Sequence, residues 1–238
     1  EAEKELSDFA KKHNIPVTPT VMGIGCMDYN DPYNIGPIGC LGVGSANSLS
    51  KDTDLALALG TKLGDFTTGS WTNFHNPNFQ LVSINAARFD VSKHRATPVV
   101  SDAKLGLLAL SKVLGDWKAP DNWYQRAYKE STEWDKYVQK QSGPTNQEFP
   151  SYAHAVGAVY RNSDPSDIVV TAAGGLVGET VQIWKPKELN TFETEWGFSC
   201  MGYEISGALG IKMAKPNQDV IVFVGDGSYL LANSDIYS

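Results

Sequence analysis

The chain has 238 residues, 42% hydrophobic and 20% charged, with a net charge of −7. That suffices for one large or two small domains with buried cores. The acidic balance and the lack of a basic cluster argue against a nucleic-acid partner, and no apolar run approaches the roughly 18–20 residues that span a bilayer.

The N-terminal stretch EAEKELSDFAKKH reads as a charged amphipathic helix over 3–13 rather than a secretory leader. Asn14 suits the position just past its C-terminus, and Ile15, before Pro16, is biased to an extended conformation. Val17 to Met22 reads as a short strand. A long loop rich in Gly and Pro follows, leading into a helix around Ser45 to Leu49. Its Gly39, Gly42 and Gly44 do not have the GxGxxG spacing, and no strand runs directly into them, so a dinucleotide-binding Rossmann protein is disfavoured. Asp54 to Leu59 reads as a buried strand, Gln80 to Asn85 as a second, and Val99 with Val100 as the start of a third. Asp102 is placed to cap a helix over Ala103 to Leu114. Strands and helices alternating at this spacing predict an α/β layer with a parallel sheet.

The pattern stops around Gly115 to Pro120. Residues 121–140 read as a charged, aromatic helix whose Trp123, Tyr128, Trp134 and Tyr137 are packing residues. A Gly- and Pro-bearing linker, Ser142 to Asn146, closes the boundary region. A second α/β unit then begins with a helix over Ser151 to Tyr160 and a strand over Asp167 to Thr171. That strand runs into Ala172-Ala173-Gly174-Gly175-Leu176, a small-residue turn that lets backbone approach a ligand closely. Further on, Cys200-Met201-Gly202 precedes a helix of small residues, YEISGALGIKMA. Val220 to Val224 reads as a buried parallel strand, broken at once by Gly225-Asp226-Gly227-Ser228 and a new helix.

A strand, a Gly turn and a helix start give outward N–H groups suited to a phosphate. Asp226 in that turn would repel a phosphate unless Mg²⁺ stood between them, held by the carboxylate and by phosphate oxygens. A plain βα turn explains the same four residues, because Asp-Gly turns are common. Cys26, Cys40 and Cys200, like the four histidines, lack metal-ligand spacing. Scattered unpaired cysteines fit a reducing, cytoplasmic compartment.

Longer stretches carry more information than the turn. GTKLGDFTTGSW, INAARFDVSKH, TAAGGLVGE and FETEWGFSCMGYEISGALG, together with the GDGS turn, resemble thiamin diphosphate-dependent enzymes nearly from end to end. Within that family they resemble the C–C hydrolases that open a cyclic 1,2-dione in inositol catabolism. The resemblance implies a Rossmann-like central domain over 1–116 without its first strand, a helical linker over 117–146, and the first part of a diphosphate-binding domain over 147–238. It implies thiamin diphosphate and Mg²⁺ as cofactors, a small cyclic dione as substrate, 5-deoxyglucuronate as product, and a homodimer or homotetramer. By similarity Asp226 is the Mg²⁺ ligand. Gly225, Gly227 and Ser228 face the diphosphate, Gly175 and Leu176 reach its other side, and Met201 supports the bent cofactor. Cys200 stands where related enzymes often carry Thr and is given no chemistry. The family's catalytic glutamate and its second, Asn metal ligand are expected outside this sequence. An acetolactate synthase-like carboligase and a catalytically incompetent scaffold are the alternative functions.

Overall fold

A computed structural model describes residues 2–237, in two compact units. One comprises residues up to Thr20 together with Asn30–Thr132, the other Val21–Tyr29 together with the residues from Glu133 onward.

In the first unit, α1 (Glu3–His13) ends as its sequence requires. Asn14 is left-handed at φ 57°, and its N–H donates to the Ala10 carbonyl. The strand expected over Val17 to Met22 does not form. Val17 makes one isolated bridge to Asn34, and Val21–Gly23 is a turn of 3₁₀ helix. Pro19 in the middle of the stretch has no N–H to give to a ladder, and Pro16 just before it likewise cannot donate. Helix α2 (Gly44–Asp52) follows, then β1 (Leu55–Leu59), the single turn α3 (Asp65–Thr68), β2 (Gln80–Asn85), α4 (Arg88–Val91) and β3 (Thr97–Val100).

The three strands form a parallel sheet in the order β1-β2-β3. β1 is less buried than its DLALAL sequence suggests, with Leu55 half-exposed, because among the described residues it pairs with β2 alone. Asp102 caps α5 (Ala103–Leu114), its carboxylate accepting from the Leu105 N–H at 3.0 Å. Helix α6 (Asp121–Gln141) contributes residues to both units.

The second unit continues with α7 (Tyr152–Asn162), β4 (Ile168–Thr171), α8 (Gly175–Ile183), β5 (Phe192–Thr194), α9 (Tyr203–Ala214), β6 (Val220–Val222) and α10 (Asp226–Ala232). Its sheet is parallel with order β5-β4-β6. The β-branched run of β4 lies at the centre, all four residues buried. Ile168 and Val170 pack against Ala208 and Ile211 of α9. β6 is shorter and more exposed than a buried five-residue strand, since among the described residues it pairs with β4 alone. Phe223 still donates to the Val170 carbonyl at 2.9 Å.

The chain steps from β4 to β5 on one side, then crosses back over β4 to β6 on the other. Right-handed crossovers in opposite directions lay α8 and α9 on opposite faces. Loops at the carboxyl edge of such a sheet part at this reversal, where open α/β sheets hold ligands.

Candidate cofactor-binding site

Parallel pairing sets the geometry of the site. Val170 of β4 stands opposite Val222 of β6, so the turn after β4 and the turn after β6 leave the same edge side by side. Gly174 takes φ 83°, and α8 begins at Gly175. Gly175 is exposed and Leu176 half-buried, and a Cβ on Gly175 would lie 3.5 Å from the Tyr152 ring of α7. Across the edge, Gly225 precedes α10 in an extended conformation. Asp226 is exposed, Gly227 half-buried and Ser228 buried.

Met201 joins this second turn. It is half-exposed, and its Cε lies 3.0 Å from where a Cβ on Gly227 would sit. Gly202 behind it is left-handed at φ 95° and closes against Ala232 of α10. The structure therefore places Met201 against the Gly225–Ser228 turn, with the Gly175–Leu176 turn beside them on the same sheet edge.

Sequence reasoning missed two carboxylates at this edge. Glu204, in the first turn of α9, is fully buried. One of its oxygens accepts from the Ala173 N–H at 3.1 Å and the other from the Gly202 N–H at 3.0 Å. Glu195 accepts from the Phe198 N–H at 2.9 Å and the Cys200 N–H at 2.7 Å. These backbone donors, that of Cys200 foremost, hold the Glu195 carboxyl below the usual carboxylate range. Partial desolvation, followed by the nearby Glu195 charge, pushes the exposed Cys200 thiol up.

A diphosphate and a hard cation fit these residues. Asp226 carries an exposed carboxylate that accepts from the Gly227 N–H beside it at 2.9 Å. Among the described residues no three His, Cys, Asp or Glu side chains gather into a metal cage. A cation here would depend on phosphate oxygens, the usual habit of Mg²⁺. The Thr171 and Thr194 hydroxyls, in register at the carboxyl ends of β4 and β5, are buried and find no hydrogen-bond partner among the described residues. The edge therefore still has donors to satisfy.

Residues 1–110 match the model of the thiamine pyrophosphate enzyme central domain, and residues 172–237 match that of the C-terminal TPP binding domain of the same enzymes. The chain belongs to the thiamine pyrophosphate enzyme family. It is similar to the 3D-(3,5/4)-trihydroxycyclohexane-1,2-dione hydrolases of Geobacillus thermodenitrificans (35% identical), Clostridium tetani (34%) and Bacillus anthracis (34%). In each case 99% of this chain aligns with 40% of the relative, so the chain spans well under half the length of these proteins. Among the described residues no helix is long and apolar enough to cross a membrane.

Proposed function

We propose that this chain supplies the central domain (1–116), a helical linker (117–146) and part of the diphosphate-binding domain (147–238) of a hydrolase that uses thiamine pyrophosphate and Mg²⁺. Its substrate is 3D-(3,5/4)-trihydroxycyclohexane-1,2-dione, whose ring it opens at a C–C bond. The observation that carries this reading is similarity to proteins of that name along 99% of the chain. Bound thiamine pyrophosphate supplies a carbanion nucleophile and an electron sink.

The chain's own residues do the holding. The Asp226 carboxylate takes the cation. Gly225, Gly227 and Ser228 offer backbone N–H groups to the diphosphate, and Gly175 and Leu176 do so from the start of α8. Met201 gives the cofactor an apolar support. In the structure the Gly227 N–H is engaged by Asp226. A cation held by the Asp226 carboxylate would compete with that hydrogen bond, and the Gly227 N–H would then be available to the diphosphate.

The test is made on the complete gene product that carries this chain. Calorimetric titration is expected to show thiamine pyrophosphate binding that requires Mg²⁺ and is weakened at least 100-fold in Asp226→Ala. Ring opening of the dione without consumption of pyruvate is expected in the assay. Pyruvate-dependent carboligation in its place would overturn the hydrolase reading.

A further inference from the structure

Every second backbone N–H from Phe198 to Gly202 ends on a carboxylate oxygen. Glu195 holds those of Phe198 and Cys200, and Glu204 holds that of Gly202. Glu204 reaches further, because its other oxygen takes the Ala173 N–H in the turn after β4. A single buried carboxylate thus ties the Ala172–Gly175 turn to the segment that carries Met201. Among the described residues it makes no ion pair, so these N–H groups are what compensate its burial.

The segment between the two glutamates is not relaxed. Ser199 sits at φ 53°, a left-handed conformation costly for a residue with a Cβ. Phe198 and Met201 nevertheless hold their side chains outward, 91% and 51% exposed. A strained loop presenting apolar side chains to solvent needs over-determined anchoring. The two carboxylates provide it, with a longer contact from the Ser199 hydroxyl to the Ala172 carbonyl at 3.4 Å.

We infer that Glu204 and Glu195 are positioning residues, forming a two-carboxylate clamp that fixes Met201 against Gly227 and sets its distance from the Gly174–Gly175 turn. The inference rests on the reading above for what the clamp serves, but the clamp itself is testable without cofactor.

In the complete gene product that carries this chain, without added cofactor, amide exchange by NMR would be followed in Glu204→Ala and Glu204→Gln. The Ala variant removes both acceptors, so the Ala173 and Gly202 amides are expected to exchange at least tenfold faster relative to Val170 in the neighbouring strand. Gln keeps one acceptor oxygen and presents an NH₂ group to the other site, so only one of the two amides should speed up. The Met201 methyl resonance should move in both. Glu195→Gln should leave Ala173 untouched, release Phe198 or Cys200, and raise the alkylation rate of Cys200 several-fold without changing that of Cys40. Should Glu204→Ala fail to fold, the Gln variants carry the test. Uniform acceleration across the second unit, or none, overturns the clamp.

On the complete gene product, Glu204→Ala is expected to weaken thiamine pyrophosphate binding at least tenfold. Released amides with unchanged cofactor affinity, while Asp226→Ala still abolishes binding, overturn the positioning role and leave the cofactor reading intact. Binding untouched by Asp226→Ala overturns the cofactor reading, and the amide and methyl measurements then decide the clamp alone.

Discussion

Gly202 is where a single methyl group matters most. Its backbone is at φ 95°, and a Cβ there would stand 2.8 Å from that of Ala232. Gly202→Ala therefore adds conformational strain to a clash between α9 and α10, neither of which a side-chain rotation relieves. A loss of about 2–4 kcal/mol is expected in urea unfolding of the second unit. Asp31 illustrates a different effect in the first unit. Burial alone would raise its carboxyl. Lys11 at 2.8 Å, the Ser7 hydroxyl at 2.7 Å and the Tyr33 N–H at 3.1 Å outweigh that and hold it below its ordinary value. A carboxyl depressed by folding contributes stability that is complete above its unfolded pKa, about 4, and is lost as pH falls through the folded value. The urea midpoint of the first unit should therefore drop below about pH 4, and in Asp31→Asn that part of the acid dependence should vanish. An unchanged slope in the variant would mean that other carboxylates carry it.

At the scale of elements, legibility followed local chemistry. The end of α1 at Asn14, the cap of α5 at Asp102 and the span of α9 were all readable, because each depends on residues next to one another in sequence. Asp102→Ala should cost about 1 kcal/mol of thermal stability, with the loss concentrated in exchange of the first turn of α5. β5 was not readable. Phe-Glu-Thr is too short to show a period, and it is a strand because β4 supplies its partners. The exposure of β1 and β6 was likewise unreadable, since an apolar run does not say whether a strand has one neighbour or two. The site divides along the same line. Gly175 and Asp226 stand in short Gly-bearing turns after β4 and β6, whereas Met201, just before α9, was singled out only by the family resemblance. Glu204 is a lone acidic residue in a helix, where a solvated face is the ordinary expectation. The available signal was its setting, an acid in the first turn of a helix that, Tyr203 and Lys212 aside, is otherwise built of small and apolar residues and is capped by Gly202. Glu195 had no comparable signal, because its partners lie in an irregular segment.

The molecule as a whole carries two separate sheets, each with its own buried centre. Ile84 on β2 and Ile168 on β4 are matched probes of them, each 2% exposed. Ile84 lies under α5, its Cγ2 2.7 Å from where a Cβ on Gly106 would be, so the helix approaches the sheet closely at that point. Ile168 packs with Val170 and Ala208 beneath α9. Truncation to Ala at either site removes three carbons from a close-packed interior and should cost about 2–5 kcal/mol. Because the cores are built from different elements, the losses should be local. In Ile84→Ala, amide protection should fall in β1, β2 and β3 while β4 keeps its wild-type exchange, and Ile168→Ala should do the reverse. The unfolding of the chain then has at least two steps, and one melting temperature does not describe it. The result that would refute this is equal loss of protection in both sheets from either substitution. It would make α6, which contributes to both units, a rigid member of one cooperative structure rather than a connection between two.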